Sequence, residues 1–343
     1  MSRITAAAAA LALFALAPLA SASTRTAAPS WAQAQIKVVT AHGLMGGDPA
    51  NFRPEDPLSA GELADLVAGL SGMWAAAPAN RSAPVSIAGL DAALVRGIGL
   101  GDAARLFTIG ARAAGLAPPA RFGTESVARL LGFRTDHPRS QDGLELAPSQ
   151  LATRAEAAYS VAKILLEKGW EIPWARQQAQ SFVLPQVSGW QLQVLHAAVS
   201  LVGFPYVWGG TSDQPQAPLG VDVPGGFDCS GFVWRVYKLG KYAAGTSLAE
   251  TLRGRSTYAM SGEVPRRQRL GEVDLQPADV LFFGAGGPGS RPADVDHTGI
   301  YLGNGWFIHA GGEGVYLSSL AMPWWGTHFA WARRPLAEAG LTP

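Results

Sequence analysis

Apolar and polar positions change their period along this chain. From Trp31 to Leu70 the apolar residues recur at helical spacing: Trp31, Ile36, Val39 and Leu44, then Leu63, Leu66, Val67 and Leu70. Gly43 and Gly46–Gly47 break the first run, and Phe52 and Pro54 lie in the loop between the two. Ser59 with Glu62 three residues on is a capping box, which sets the start of the second helix. The pattern returns over residues 146–166, "LAPSQLATRAEAAYSVAKILL", with Thr153 as cap and Glu156 after it. In both copies a proline stands eight residues before the glutamate, Pro54 before Glu62 and Pro148 before Glu156. Such a repeat implies stacked helix–loop–helix units. Residues 85–116 predict more helix, interrupted at Gly97, Gly99 and Gly101.

The character shifts after residue 168. Residues 169–189, with Trp170, Pro173, Trp174 and Pro185, read as a linker or as a segment packed along the next domain. Residues 190–202 predict an amphipathic helix. "CSGFVWRVYKLG" predicts another that begins at Cys229, with Phe232, Val233, Val236 and Leu239 on one face. "HTGIYLGNGWFIHAGG" then reads as two strands joined at Asn304–Gly305. The expected organisation is an all-α repeat domain over 31–168 and an α+β domain over 190–335.

Composition narrows the function. The 343 residues carry a net charge of +1, with no basic stripe, which argues against nucleic acid. Arg3, the apolar run Ala6–Ala20 and the small-x-small triplet Ala20-Ser21-Ala22 have the layout of a secretory signal peptide over residues 1–22. The run falls short of the ~20 residues that span a bilayer. No later segment is long and apolar enough to span, so an exported, extracellular protein is expected.

In that setting the single cysteine is informative. It has no partner in the chain for a disulfide, so Cys229 is either inert and buried or reactive. In the first turn of a helix it would face unpaired backbone N–H groups and the positive end of the dipole, which predicts a lowered thiol pKa. Among six histidines, His297 and His309 bracket the predicted hairpin. A two-residue loop at Asn304–Gly305 would put them on opposite faces. A three-residue turn, or an equivalent bulge, would bring them to one face. The expected chemistry is nucleophilic: Cys229 attacks an amide carbonyl, His297 serves as base, and His309 orients the imidazole. Zinc is disfavoured, because no fourth ligand and no paired Cys or His motif accompanies these three. No phosphate-binding glycine pattern is present, and no cofactor is implied.

Two resemblances add detail. The Trp31 start, "GLMGGD", "FRPEDPL" and "TRAE" at 153–156 make the first region similar to S-layer homology modules, which hold proteins to secondary polymers of the cell wall. Arg154 is the side chain this resemblance nominates; an exposed arginine paired with its own helix is the alternative. The first copy departs, with Ala60 in "SAGE" where the family prefers arginine.

Residues 185–335 resemble the NlpC-type cysteine peptidases of bacterial walls through "PYVWGG", "FDCSGFVWRVY", "GRSTYAM", "LQPADVLFF" and "HTGIYLGNGWFIHA". The resemblance implies a papain-like α+β fold, a triad of Cys229, His297 and His309, and cleavage of peptidoglycan stem peptides between D-γ-glutamate and a diamino acid. It implies substrate contacts at Tyr206, Asp228, Ser230 and Arg255. Helix capping by Asp228, core packing by Tyr206 and a surface ion pair at Arg255 are the structural alternatives. "QPAD" stands where "KPGD" is usual, and the inserts 211–224 and 284–296 are long. Other amide chemistry on the same triad, an amidase or a transpeptidase, and a catalytically silent wall-binding protein remain open at this point.

Overall fold

The computed structural model describes residues 30–72, 77–134, 139–242 and 246–341. The expected signal peptide and His137 lie outside these residues. The helical region holds α1 (Gln33–Ala41), α2 (Ala60–Ser71), α3 (Ile87–Gly97), α4 (Gly101–Ala113), α5 (Phe122–Leu130) and α6 (Arg154–Leu165). The capping box forms as expected: Ser59 Oγ accepts from the Glu62 N–H, and Glu62 accepts from the Ser59 N–H. Thr153 caps α6 through its hydroxyl, but the Glu156 carboxylate turns inward to Arg134 at 3.1 Å.

Two copies were visible in the sequence, yet three helix starts are equivalent in the structure. The Leu58 N–H donates to Ala152 O, Ala152 to Val85 O, and Val85 to Leu58 O, which closes a ring. Each approach segment also satisfies the free N–H groups of a neighbour's helix. Pro54 O accepts from Ala155, Pro148 O from Ala88 and Ala83 O from Ala60. The prolines that mark the repeat thus supply carbonyls to the next unit's helix. The third member, at Ser86, carries no proline–glutamate spacing and was not legible as a copy.

Residues 169–189, expected as a linker or a segment packed along the next domain, contain a helix: α7 (Glu171–Ser181) follows the repeats, and Phe182 packs on Phe107 and Trp306. The α+β region adds α8 (Gly189–Ser200), a short β1–β2 pair (Thr211–Ser212, Gly226–Phe227), α9 (Cys229–Tyr237), α10 (Thr246–Thr251) and α11 (Thr257–Gly262). Its antiparallel sheet holds β3 (Val280–Gly284), β4 (Val295–Gly303), β5 (Trp306–Gly311), β6 (Gly314–Ser319) and β7 (Phe329–Arg333), in the order β6-β5-β4-β3-β7. A short helix α12 (Pro323–His328) precedes β7. Phe232, Val233 and Val236 of α9 join one core with Phe282, Ile300 and Ile308. Leu281, Phe283, Phe307 and Phe329 form a second, smaller core with Trp325.

The two regions are fastened together. Arg129 of α5, buried beside Glu125, donates to the carbonyls of Gly203 and Glu313 across the boundary. Gly314, at φ +89, leaves the space that this guanidinium fills. Among the described residues no helix is long and apolar enough to cross a membrane.

Candidate active site

The hairpin β4–β5 decides whether the two histidines can meet. Asn304 and Gly305 form a two-residue loop, at φ +49 and +82, between paired Gly303 and Trp306. Alone, that loop would separate the rings. A bulge at Leu302 then shifts the register, so that Tyr301 pairs with Phe307 and Ile300 with Ile308. The equivalent-bulge expectation is what the structure contains. Both rings lie on one face, and His297 Nε2 stands 2.9 Å from His309 Nδ1. Gly299 has to be glycine here: a Cβ would come within 3.1 Å of His309 Cβ and 3.0 Å of Phe307. The far nitrogen of His309, Nε2, meets Ser318 Oγ at 3.0 Å.

Cys229 opens α9 behind the Asp228 cap, as its sequence position predicts. Its sulfur lies 3.4 Å from Thr257 Oγ1 and 3.9 Å from the carbonyl of Asp296, the residue before His297. Among the described residues no hydrogen bond joins the sulfur to an imidazole. His297 Nδ1 is the ring nitrogen left over by the bond to His309.

The expected lowered thiol pKa is not what results. Burial pushes the Cys229 thiol up to about 11, and the Asp228 charge adds to this. The Thr257 hydroxyl and the N–H groups of Ser230 and Thr298 pull the other way without winning. The helix-start effect is local and modest, whereas loss of water around the sulfur is tertiary and larger. Burial likewise lowers His297 to about 4 and holds His309 well below its ordinary value, with His297 contributing. Each charge alone is disfavoured; a thiolate and an imidazolium formed together would compensate one another.

Asp228, Ser230 and Arg255 come together as one network. Asp228 accepts from the N–H groups of Gly231 and Gly209 and from Ser230 Oγ. Arg255 donates to Asp228 at 3.2 Å, to Ser230 Oγ at 2.6 Å and to the carbonyls of Gly209 and Gly210. The acid is therefore both cap and ion-pair partner, and Arg255 ties the α9 start to the loop before it. Tyr206 is half-buried; burial and the Cys229 and Asp228 charges raise its pKa, so it stays a protonated donor.

Sequence reasoning missed Trp325. Its ring centroid lies 5.2 Å from His297 and 4.7 Å from His309, covering the pair. It missed Ser318 too, and Tyr316, whose ring lies 4.4 Å from His309. Thr257 was within a quoted run but carried no role. Arg154 is not an exposed helix arginine: it is buried, donates to Phe52 O at 2.8 Å and Met45 O at 3.0 Å, and pairs with Glu62. Among the described residues no cluster of three potential metal ligands occurs.

Residues 203–334 match the NlpC/P60 family model, and residues 25–64 match the S-layer homology domain. The C-terminal region is an NlpC/P60 domain. The chain is 36% identical over 146 residues to "Probable endopeptidase YafL" of Escherichia coli, covering 42% of this chain and 49% of that one. It is 36% identical over 137 residues to "Probable peptidoglycan endopeptidase LytE" of Bacillus subtilis, covering 40% and 32%. The chain thus spans about half or less of these curated relatives. A crystal structure of an NlpC/P60 family protein from Bacillus cereus aligns at TM-score 0.32 and 24% identity, over 44% of this chain and 41% of that one.

Proposed function

We propose that this NlpC/P60 domain is a peptidoglycan endopeptidase, exported to the wall, which hydrolyses the stem-peptide amide between D-γ-glutamate and the diamino acid. The observation that carries the reading is the hydrogen-bonded His297–His309 pair, with the sulfur of Cys229, at a helix start, 3.9 Å from the carbonyl of the residue before His297. Because thiol and imidazole both rest neutral, the proton moves as the bond forms. The Cys229 proton passes to His297 Nδ1 while the sulfur attacks the carbonyl carbon. The Cys229 N–H, at the start of α9, is a donor for the oxyanion, and Tyr206 is a second. Losing one such donor typically costs ~3 kcal/mol of transition-state stabilisation. The imidazolium then gives its proton to the departing amine. Water, activated by the same nitrogen, opens the thioester and returns the thiol.

The S-layer homology region is proposed to keep the enzyme at the wall by gripping a secondary polymer, with the groove beside Gly46, Glu62 and Arg154 as its site. One observation favours a silent wall-binding protein instead: the neutral thiol lacks a bond to His297. Purified murein decides between them. The full chain should release stem-peptide fragments, identified by mass spectrometry, and Cys229→Ala should release none while keeping its circular dichroism. Equal release by both proteins would refute the triad, and no release by either would favour the silent reading.

A further inference from the structure

Trp170 and Trp174 stood out in the sequence between the two domains, and the proposed reaction gives them no role. In the structure they line a cavity of about 260 Å³ shared by the helical region and the NlpC/P60 domain. Lys163 and Glu171 line it from the helical region, and Tyr316 and Trp325 line it from the NlpC/P60 domain. Trp170 is 56% exposed, a large apolar side chain left facing water while lining this cavity. Its ring meets that of Trp174 edge-on, at 6.2 Å and 72°. Lys163 and Glu171 approach only to 3.8 Å, so both keep hydrogen-bonding capacity for a ligand while their charges offset.

We propose that this cavity holds one sugar ring of the murein glycan, next to the stem peptide that is cut. The proposal deepens the function argued above and rests on it. Three features select a saccharide. A pyranose presents a face of C–H bonds that stacks on indole, and three indoles, those of Trp170, Trp174 and Trp325, line this cavity. Its hydroxyl and acetamido edges need donors and acceptors together, which Lys163 and Glu171 supply. The offset charges suit a neutral ring better than an ionic ligand.

Position completes the argument. Tyr316 and Trp325 are the side chains that pack on His309, at 4.4 and 4.7 Å, so the cavity begins one side chain from the histidine pair. The stem peptide hangs from the sugar, and two residues precede the proposed scissile bond. At about 3.3–3.6 Å per extended residue, the ring has to sit this close to the reacting carbonyl.

Two measurements on the full chain test this. In the first, Cys229→Ala protein is titrated calorimetrically with the N-acetylglucosamine–N-acetylmuramic acid disaccharide whose lactyl carboxyl is capped as the methylamide, and with cellobiose as the ring lacking acetamido groups. The disaccharide should bind saturably and cellobiose should not, and adding Trp170→Ala should weaken binding roughly tenfold, the equivalent of about 1.4 kcal/mol. In the second, kcat/KM is compared for a disaccharide-tetrapeptide and for the same tetrapeptide without sugar. Trp170→Ala should lower the first roughly tenfold and leave the second unchanged, and Trp174→Ala should behave alike. No saturable binding, equal binding of cellobiose, or equal losses on both substrates would overturn the sugar site. If the unaltered protein cleaves neither substrate, the proposed reaction fails, and the titration still decides whether the cavity takes the sugar.

Discussion

His297 and His309 share one hydrogen bond, Nε2 to Nδ1 at 2.9 Å, and its direction fixes what each ring can do. For His297 to accept a proton at Nδ1, its Nε2 has to carry hydrogen and donate to His309 Nδ1. His309 then carries its hydrogen on Nε2 and donates to Ser318 Oγ, 3.0 Å away. In that arrangement Ser318 accepts, and its hydroxyl anchors a chain of bonds that ends two rings away at His297 Nδ1. His309→Ala should lower kcat roughly 10²-fold. Ser318→Ala should lower it about threefold to tenfold, with KM unchanged, since one neutral hydrogen bond contributes about 1 kcal/mol. Steady-state kinetics on a defined muropeptide checks both.

The thiol should behave as a neutral group at rest. With Cys229 pushed up to about 11 and His297 down to about 4, alkylation by iodoacetamide should climb through pH 7 to 9 without a plateau. A flat, fast rate at pH 6 would mean a resting ion pair. His297 also links to stability. Its folded pKa lies below the unfolded value of about 6.5, so the unfolded chain takes the proton first. Its contribution is complete above pH 6.5 and is lost as pH falls toward about 4, which urea unfolding at pH 7 and pH 4.5 would register.

Ala278 sits at φ +71, in the left-handed region, at the position where the resembled family has glycine in "KPGD". An L side chain there costs roughly 1 kcal/mol. Ala278→Gly should therefore raise the unfolding free energy by up to about 1 kcal/mol, with activity unchanged. Thermal unfolding followed by circular dichroism measures it.

Arg129→Met should strip the carbonyls of Gly203 and Glu313 of their donor and leave Glu125 buried without its 3.2 Å partner. Breaking a buried pair in this way costs about 3–5 kcal/mol. Denaturant titration should show that loss, and limited proteolysis should open the connection between the two regions.

What could be read ahead of the structure was mostly local. Ser59, Thr153 and Asp228 announce their helix starts because a capping side chain bonds within three residues of itself. Gly97, Gly99 and Gly101 mark a break because glycine disfavours a helix interior and admits a left-handed turn such as Gly99 at φ +76, and α3 ends and α4 begins there. The hairpin was legible up to a choice between two registers, because a bulge at Leu302 leaves no signature of its own. Distant contacts were not legible. Nothing near Cys229 in sequence reveals that the sulfur loses its water, and nothing near Trp325 reveals that it lies over two histidines. Residues 170–181 carry two tryptophans and a proline, which obscured a helix whose stability comes from packing on α4.

The hairpin bearing both histidines is held at its tip from outside its own domain. Asn304 Nδ2 donates to Val183 O, Trp306 Nε1 donates to Ser181 O, and a Cβ at Gly303 would strike Pro185. A catalytic fragment excised at residue 190 would lose those three footholds, and with them the grip on the loop that sets the register. The NlpC/P60 domain of this chain is for that reason not a portable cassette: to be transplanted intact it has to travel with residues 181–187.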